Sequence, residues 1–219
     1  MTVKALIFDF DGLILDTEFP IYNAIRTIFQ RYGQDLPLDE YTYCIGGDEK
    51  DDAFLLKLQS RIHEQLDIPA LQAEIRDHMM REIYQNPILP GVKETLQKAE
   101  ALQLPCIVAS SSEQEWVVNH VERLGLTHFF TAICTADDVK QVKPEPDLFL
   151  LALKKANVQA SEAIVFEDSS NGIIAAYRAG IFSVAVPSKM TEGTDFSKAN
   201  LIVKRIDEIP LEELLTKII

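Results

Sequence analysis

Ile7-Phe8-Asp9-Phe10-Asp11-Gly12 closes the first apolar run of the chain, and its reading decides the fold. Val3 to Phe8 has the composition of a buried strand and delivers Asp9 and Asp11 to its C-terminal end. In a strand, residues i and i+2 point the same way, so the two carboxylates repel one another. A divalent cation, or a proton on one acid, resolves the conflict. A surface turn is the plainer alternative, because Asp-Gly commonly ends strands. Gly12 lets the chain turn sharply in either case.

Outward from this strand, short β-rich runs recur at Pro105–Ala109, Ala132–Thr135, Ala163–Phe166 and Ser183–Val186, with a sixth at Leu201–Val203. Helical patterns separate most of them: Val92–Leu102, Glu113–Leu124, Asp147–Asn157, and Asn171–Ala179 ended by Gly180. Such alternation predicts an α/β fold with a doubly wound parallel sheet. The spacing fails once. About 75 residues separate the first strand from the helix that opens at Pro90-Gly91, far beyond an ordinary βα connection. Phe19–Tyr32, Asp51–Leu66 and Ala70–Tyr84 within that gap carry apolar residues at helical spacing. A small α-helical domain inserted after the Asp-bearing turn is therefore expected, at 17–86, with a core of 1–16 and 87–219.

The 219 residues are 47% apolar and 25% charged, the mixture of a globular protein with a real core. The net charge of −13 argues against a general nucleic-acid or anionic-membrane surface. Cys44, Cys106 and Cys134 have no metal-type spacing and read as core residues in a reducing compartment. No stretch is long enough to span a bilayer. A soluble, cytoplasmic protein is expected, with neither nucleic acid nor membrane as partner.

In open α/β sheets ligands bind outside the carboxyl ends of the strands. Ser110-Ser111-Ser112 ends the second strand run and precedes a helix, where it offers an anion site or simple helix capping by Ser112. Lys143-Pro144-Glu145-Pro146-Asp147 holds a Lys between prolines, either as a phosphate-binding charge or as a solvated loop residue. Glu167-Asp168-Ser169 closes the fourth run, where Asp168 or Ser169 could cap the next helix. Four strand ends carrying charges of both signs suit phosphoryl transfer better than four independent caps. Asp9, Asp168 and Glu167 would hold Mg²⁺, and Lys143 would neutralise phosphoryl oxygens. Asp9 can attack phosphorus, while Asp11 protonates the leaving oxygen and later activates water.

The ordered set resembles the haloacid dehalogenase superfamily over Ala5 to about Gly180. DFDGLILDTE (Asp9 to Glu18) looks like its first motif, Ser110 its second, Lys143 its third and Glu167-Asp168 its fourth. The resemblance implies a Rossmann-like core with a helical cap inserted after the first strand. It implies Asp9 as nucleophile and metal ligand, and Asp11 as acid/base and as metal ligand through its carbonyl. Ser110, with Ser111 beside it, and Lys143 would bind the phosphoryl group, and Glu167 and Asp168 would hold Mg²⁺. The β-phosphoglucomutase-like group, with its small helical cap, is most similar.

The sequence departs from those mutases. Glu18-Phe19-Pro20-Ile21 has no His, and Gly46-Gly47-Asp48-Glu49-Lys50 offers only a Lys beside two acids, leaving Lys57, Arg61 or Arg76 to grip a second phosphate. The expected activity is a Mg²⁺-dependent phosphatase of a small phosphorylated metabolite, a sugar phosphate first among them. The alternative is a β-phosphoglucomutase-type phosphomutase. Dehalogenation needs no second Asp. Receiver domains of response regulators are shorter and lack a helical insertion.

Overall fold

The structure is a computed structural model and describes residues 2–42 and 53–217. The chain divides into two compact units, Met1–Leu15 with Pro87–Ile219, and Asp16–Asn86.

Among the described residues the first unit holds six parallel strands: β1 (Ala5–Phe8), β2 (Cys106–Ala109), β3 (Phe130–Cys134), β4 (Ala163–Glu167), β5 (Phe182–Ala185) and β6 (Leu201–Ile202). Their order is β3-β2-β1-β4-β5-β6, the doubly wound arrangement in which β1 is central and the strand order reverses beside it. All strands of β1, β2 and β4 are buried along their whole length, which is why they read as continuous apolar runs rather than alternating ones. Pairing sets Phe8 opposite Val108 on one side and Phe166 on the other. Asp9, Ser110 and Glu167 consequently leave the sheet at one edge.

Alternation within these strands still sorts side chains between the two faces. Ala5 and Ile7 of β1, Ile107 and Ala109 of β2 and Val165 of β4 join one cluster. It is closed by Leu148, Phe149 and Ala152 of α7 (Asp147–Ala156) and by Ala175 and Ala176 of α8 (Ser170–Arg178). Each large aliphatic side chain buried there is worth about 1.5–3 kcal/mol. The unit also contains α5 (Val92–Ala101), α6 (Gln114–Arg123) and the short α9 (Leu211–Leu214), for which the sequence carries no clear signal. Gly180 stands just past α8 at φ +71°, the left-handed conformation that ends many helices. Cys106 and Cys134 are free buried thiols; burial pushes the first up to about 12 and the second up to about 11, so neither is reactive near neutral pH.

The second unit contains α1 (Glu18–Arg31), α2 (Leu38–Thr42), α3 (Ala53–Arg61) and α4 (Ile68–Gln85). Tyr22, Ile25, Ile28 and Phe29 form the buried face of α1, and Leu71, Ile75 and Ile83 that of α4. α3 stops at Arg61, short of the Leu66 that periodicity suggests. There the Gln59 side chain replaces the helical ladder, donating to the Glu64 carbonyl (2.7 Å) and accepting from the Leu66 N–H (2.7 Å). Asp67 then caps α4 by accepting from the Ala70 N–H at 3.1 Å, with Pro69 in the first turn. The Asn86 side chain donates to the Asp16 carbonyl (2.8 Å), tying the ends of the unit together. Cys44 and Gly46-Gly47-Asp48-Glu49-Lys50 lie outside the described residues. No helix among the described residues is long and apolar enough to cross a membrane.

Ile107 is fully buried in the middle of the core cluster, whereas Ile202 of the edge strand β6 is 61% exposed. Ile107→Ala is expected to lower unfolding stability by about 2–5 kcal/mol in urea titrations. Ile202→Ala should stay within about 0.5 kcal/mol, and equal losses at the two positions would contradict this core.

Candidate active site

The β1 strand ends against β4, where the Asp9 N–H donates to the Phe166 carbonyl at 3.0 Å. The turn that follows needs Gly12 for two reasons. Its φ is +81°, and a Cβ there would stand only 2.7 Å from Cγ of Asp168. Glycine thus allows the β1 turn to approach the end of β4 closely.

Glu167, the last residue of β4, is fully buried. Its Oε2 accepts from the Ser169 N–H (2.7 Å) and the Ser169 hydroxyl (2.9 Å). The same hydroxyl accepts from the Gly172 N–H (3.0 Å), so Ser169 caps α8 and braces Glu167 at once. A Cβ on Gly172 would overlap the Glu167 carboxylate. Oε1 accepts from Nζ of Lys143 at 2.6 Å, and Lys143 also donates to Oδ1 of Asp9. The Lys143 side chain is 5% exposed, and its ammonium lies 5.0 Å from the centroid of the Phe149 ring. It is not a solvated loop lysine.

Asp9, Glu167 and Asp168 are all buried, each presenting one oxygen within 4.8 Å of the others. Burial, opposed by Lys143 and assisted by Glu167 and then Asp11, pushes the Asp9 carboxyl up to about 8. Burial alone would lower Lys143, but the carboxylates of Asp9 and Glu167 outweigh it and hold the amine above its usual range. Three crowded carboxylates beside one ammonium leave excess negative charge. That donor set, hard oxygens at mutual contact distance, fits a divalent cation such as Mg²⁺.

Asp11 sits in different surroundings, half-buried on the β2 side. Its Oδ2 accepts from the hydroxyls of Ser110 (3.2 Å) and Ser112 (2.7 Å), and its Oδ1 from the indole Nε1–H of Trp116 (2.9 Å). The Ser112 N–H donates to the Ser110 hydroxyl at 3.0 Å. Capping of α6 by Ser112 is not what the structure contains. The helix start is satisfied from elsewhere, the Gln114 N–H donating to Oδ2 of Asp137 (2.6 Å), and this leaves the Ser112 hydroxyl to Asp11. Ser111 is exposed.

Trp116 has no counterpart in the motif reading. A signal was available, since it is the chain's single tryptophan and stands one helical turn before His120 on the helix after Ser112. The buried His120 ring meets the Trp116 ring edge-on at 4.4 Å between centroids and stacks over Phe10 at 6.3 Å. Burial, then the Arg123 guanidinium, push its pKa below the usual histidine value.

Residues 6–186 match the haloacid dehalogenase-like hydrolase family. The protein YhcW of Bacillus subtilis is 40% identical over 213 residues, covering 97% of this chain and 96% of that protein. The phosphorylated carbohydrates phosphatase of Thermotoga maritima is 31% identical, covering 82% of each. The crystal structure of β-phosphoglucomutase from Clostridium difficile superposes with a TM-score of 0.73 at 26% identity, covering 99% of this chain and 97% of that one. The chain belongs to the haloacid dehalogenase-like hydrolase family.

Lys143→Met would leave Asp9 and Glu167 buried without their shared cation. A loss of about 3–5 kcal/mol of stability is expected in urea titrations free of divalent cations. Ser111→Ala, at an exposed position, should shift the midpoint little; comparable losses would mean Lys143 is not the group that holds the acids together.

Proposed function

We propose that this hydrolase is a Mg²⁺-dependent phosphatase that transfers the phosphoryl group of a small phosphorylated metabolite to Asp9 and then to water. The observation that carries the reading is Lys143 held between Asp9 and Glu167, beside three buried carboxylates within 4.8 Å. Receiving a phosphoryl group requires an ionised Asp9, which burial and the neighbouring acids oppose. Lys143 favours the ionised form by direct contact. Bound by Asp9, Glu167, Asp168 and the Asp11 carbonyl, Mg²⁺ would supply the remaining charge that neutralises phosphoryl oxygens.

One oxygen of Asp9 forms a bond to phosphorus as the ester oxygen leaves. Lys143 and the Ser110 hydroxyl, with Ser111 at the same strand end, offer cation and donors to the phosphoryl oxygens. Asp11, outside the crowded cluster, gives a proton to the leaving oxygen. In the second half-reaction it takes a proton from water as the water oxygen attacks phosphorus and the Asp9 carboxylate departs. Two carboxylates in distinct environments thereby divide nucleophile from acid/base.

A sugar phosphate is the substrate class we favour, in line with the relative that acts on phosphorylated carbohydrates. Phosphomutase activity would require a second cationic grip. In the Asp16–Asn86 unit, Lys57 (2.7 Å) and Arg61 both pair with Glu40, and Arg61 also donates to the Asp35 carbonyl at 3.1 Å. A second phosphate gripped by either cation would have to compete with Glu40 for it, which favours hydrolysis over transfer between sugar positions.

Asp9→Asn is expected to abolish phosphate release, and Asp11→Asn to slow it by on the order of 10²–10⁴-fold. Retained turnover in the Asp9 variant would sink the covalent mechanism. Chelation should stop the wild-type reaction and Mg²⁺ restore it; metal-independent turnover would remove the ion from the scheme. Supplied with β-glucose 1-phosphate and a trace of bisphosphate, the enzyme should release inorganic phosphate. Glucose 6-phosphate as the main product would establish the mutase instead.

A further inference from the structure

The contacts of Asp11 point beyond its own role. Oδ1 accepts from the indole N–H of Trp116, and Oδ2 from the hydroxyls of Ser110 and Ser112. An indole N–H can only donate, whereas a hydroxyl can rotate to accept. Trp116 is itself held, edge-on to the buried His120 ring, which stacks over Phe10, the residue between the two aspartates. The donor to Oδ1 is therefore mounted on packed aromatic side chains, while those to Oδ2 can turn.

We infer that Trp116 and Ser112 are positioning residues that orient the Asp11 carboxyl group for proton transfer, the indole bonding Oδ1 and the hydroxyl bonding Oδ2. This rests on the reading of Asp11 as acid/base and deepens it. As the Asp9–phosphorus bond forms and the ester bond breaks, a proton passes from Asp11 to the leaving oxygen and the O–H bonding pair stays on the carboxylate. In the hydrolytic half-reaction Asp11 regains a proton from the attacking water, and the indole bond remains in place throughout.

Two measurements test this. The chain has one tryptophan, so the indole N–H gives one resonance in a ¹H–¹⁵N spectrum. In Asp11→Ala that resonance should move and exchange with solvent about tenfold faster or more, the scale of losing one hydrogen bond. An unmoved resonance with unchanged exchange would overturn the contact.

The second is leaving-group dependence. kcat/KM here reports transfer to Asp9, which needs proton donation for an alkyl ester and none for p-nitrophenyl phosphate, whose phenolate leaves unaided. Trp116→Phe keeps the ring on His120 and removes only the donor. It should lower kcat/KM for glucose 6-phosphate on the order of 10- to 100-fold relative to p-nitrophenyl phosphate. Ser112→Ala should act in the same direction, and Ser112→Thr should restore the ratio. An unchanged ratio in Trp116→Phe, where Asp11→Asn does shift it, overturns the positioning role and leaves the acid/base reading intact. An unchanged ratio in Asp11→Asn itself removes the acid/base reading and this inference with it.

Discussion

A single ammonium group organises this protein's functional end. Nζ of Lys143 lies between Asp9 and Glu167 in surroundings from which water is nearly excluded. A buried carboxylate without a partner costs several kcal/mol, and here three of them share one pocket of the sheet edge. The strand register must therefore deliver Asp9 and Glu167 to the same height, and Phe8 opposite Phe166 does so. The Lys-bearing segment must reach in from beyond β3. Glycine must stand at 12 and 172, because a methyl group at either position would strike an acid. The charge arrangement in turn leaves an excess of negative oxygen, the property that fits a hard cation.

Asp11 shows how distance from that centre changes the chemistry of the same side chain. Two residues further along, it accepts from two hydroxyls and an indole. Asp9 is surrounded by charge and deprived of water; Asp11 is half-buried among neutral donors. In the proposed mechanism these surroundings give one carboxylate the bond to phosphorus and its neighbour the proton, without any difference in residue type.

The fold class was legible because parallel strands buried on both faces leave unbroken apolar runs, and the helices between them leave amphipathic ones. Boundaries shifted where side chains replaced backbone partners: Gln59 ended α3 early, and Asp137 relieved Ser112 of capping. α9 is four residues long, too short for a periodic signal to develop. At the site, Asp9, Lys143, Glu167 and Asp168 stood out as charged residues at the ends of apolar runs, where burial without purpose is costly. Trp116 did not, because an aromatic residue on an amphipathic helix is ordinarily core.

The sequence by itself determined the kinds of group present, their order, and the strand ends from which they project. Period and composition act locally, so these features survive in one dimension. Only the tertiary structure decided which groups touch. It set Lys143 against Asp9 across 134 positions of chain and Trp116 against Asp11 across 105. Contacts of that separation depend on strand order and register, which arise from packing the whole core and leave no periodic trace in the residues that finally meet.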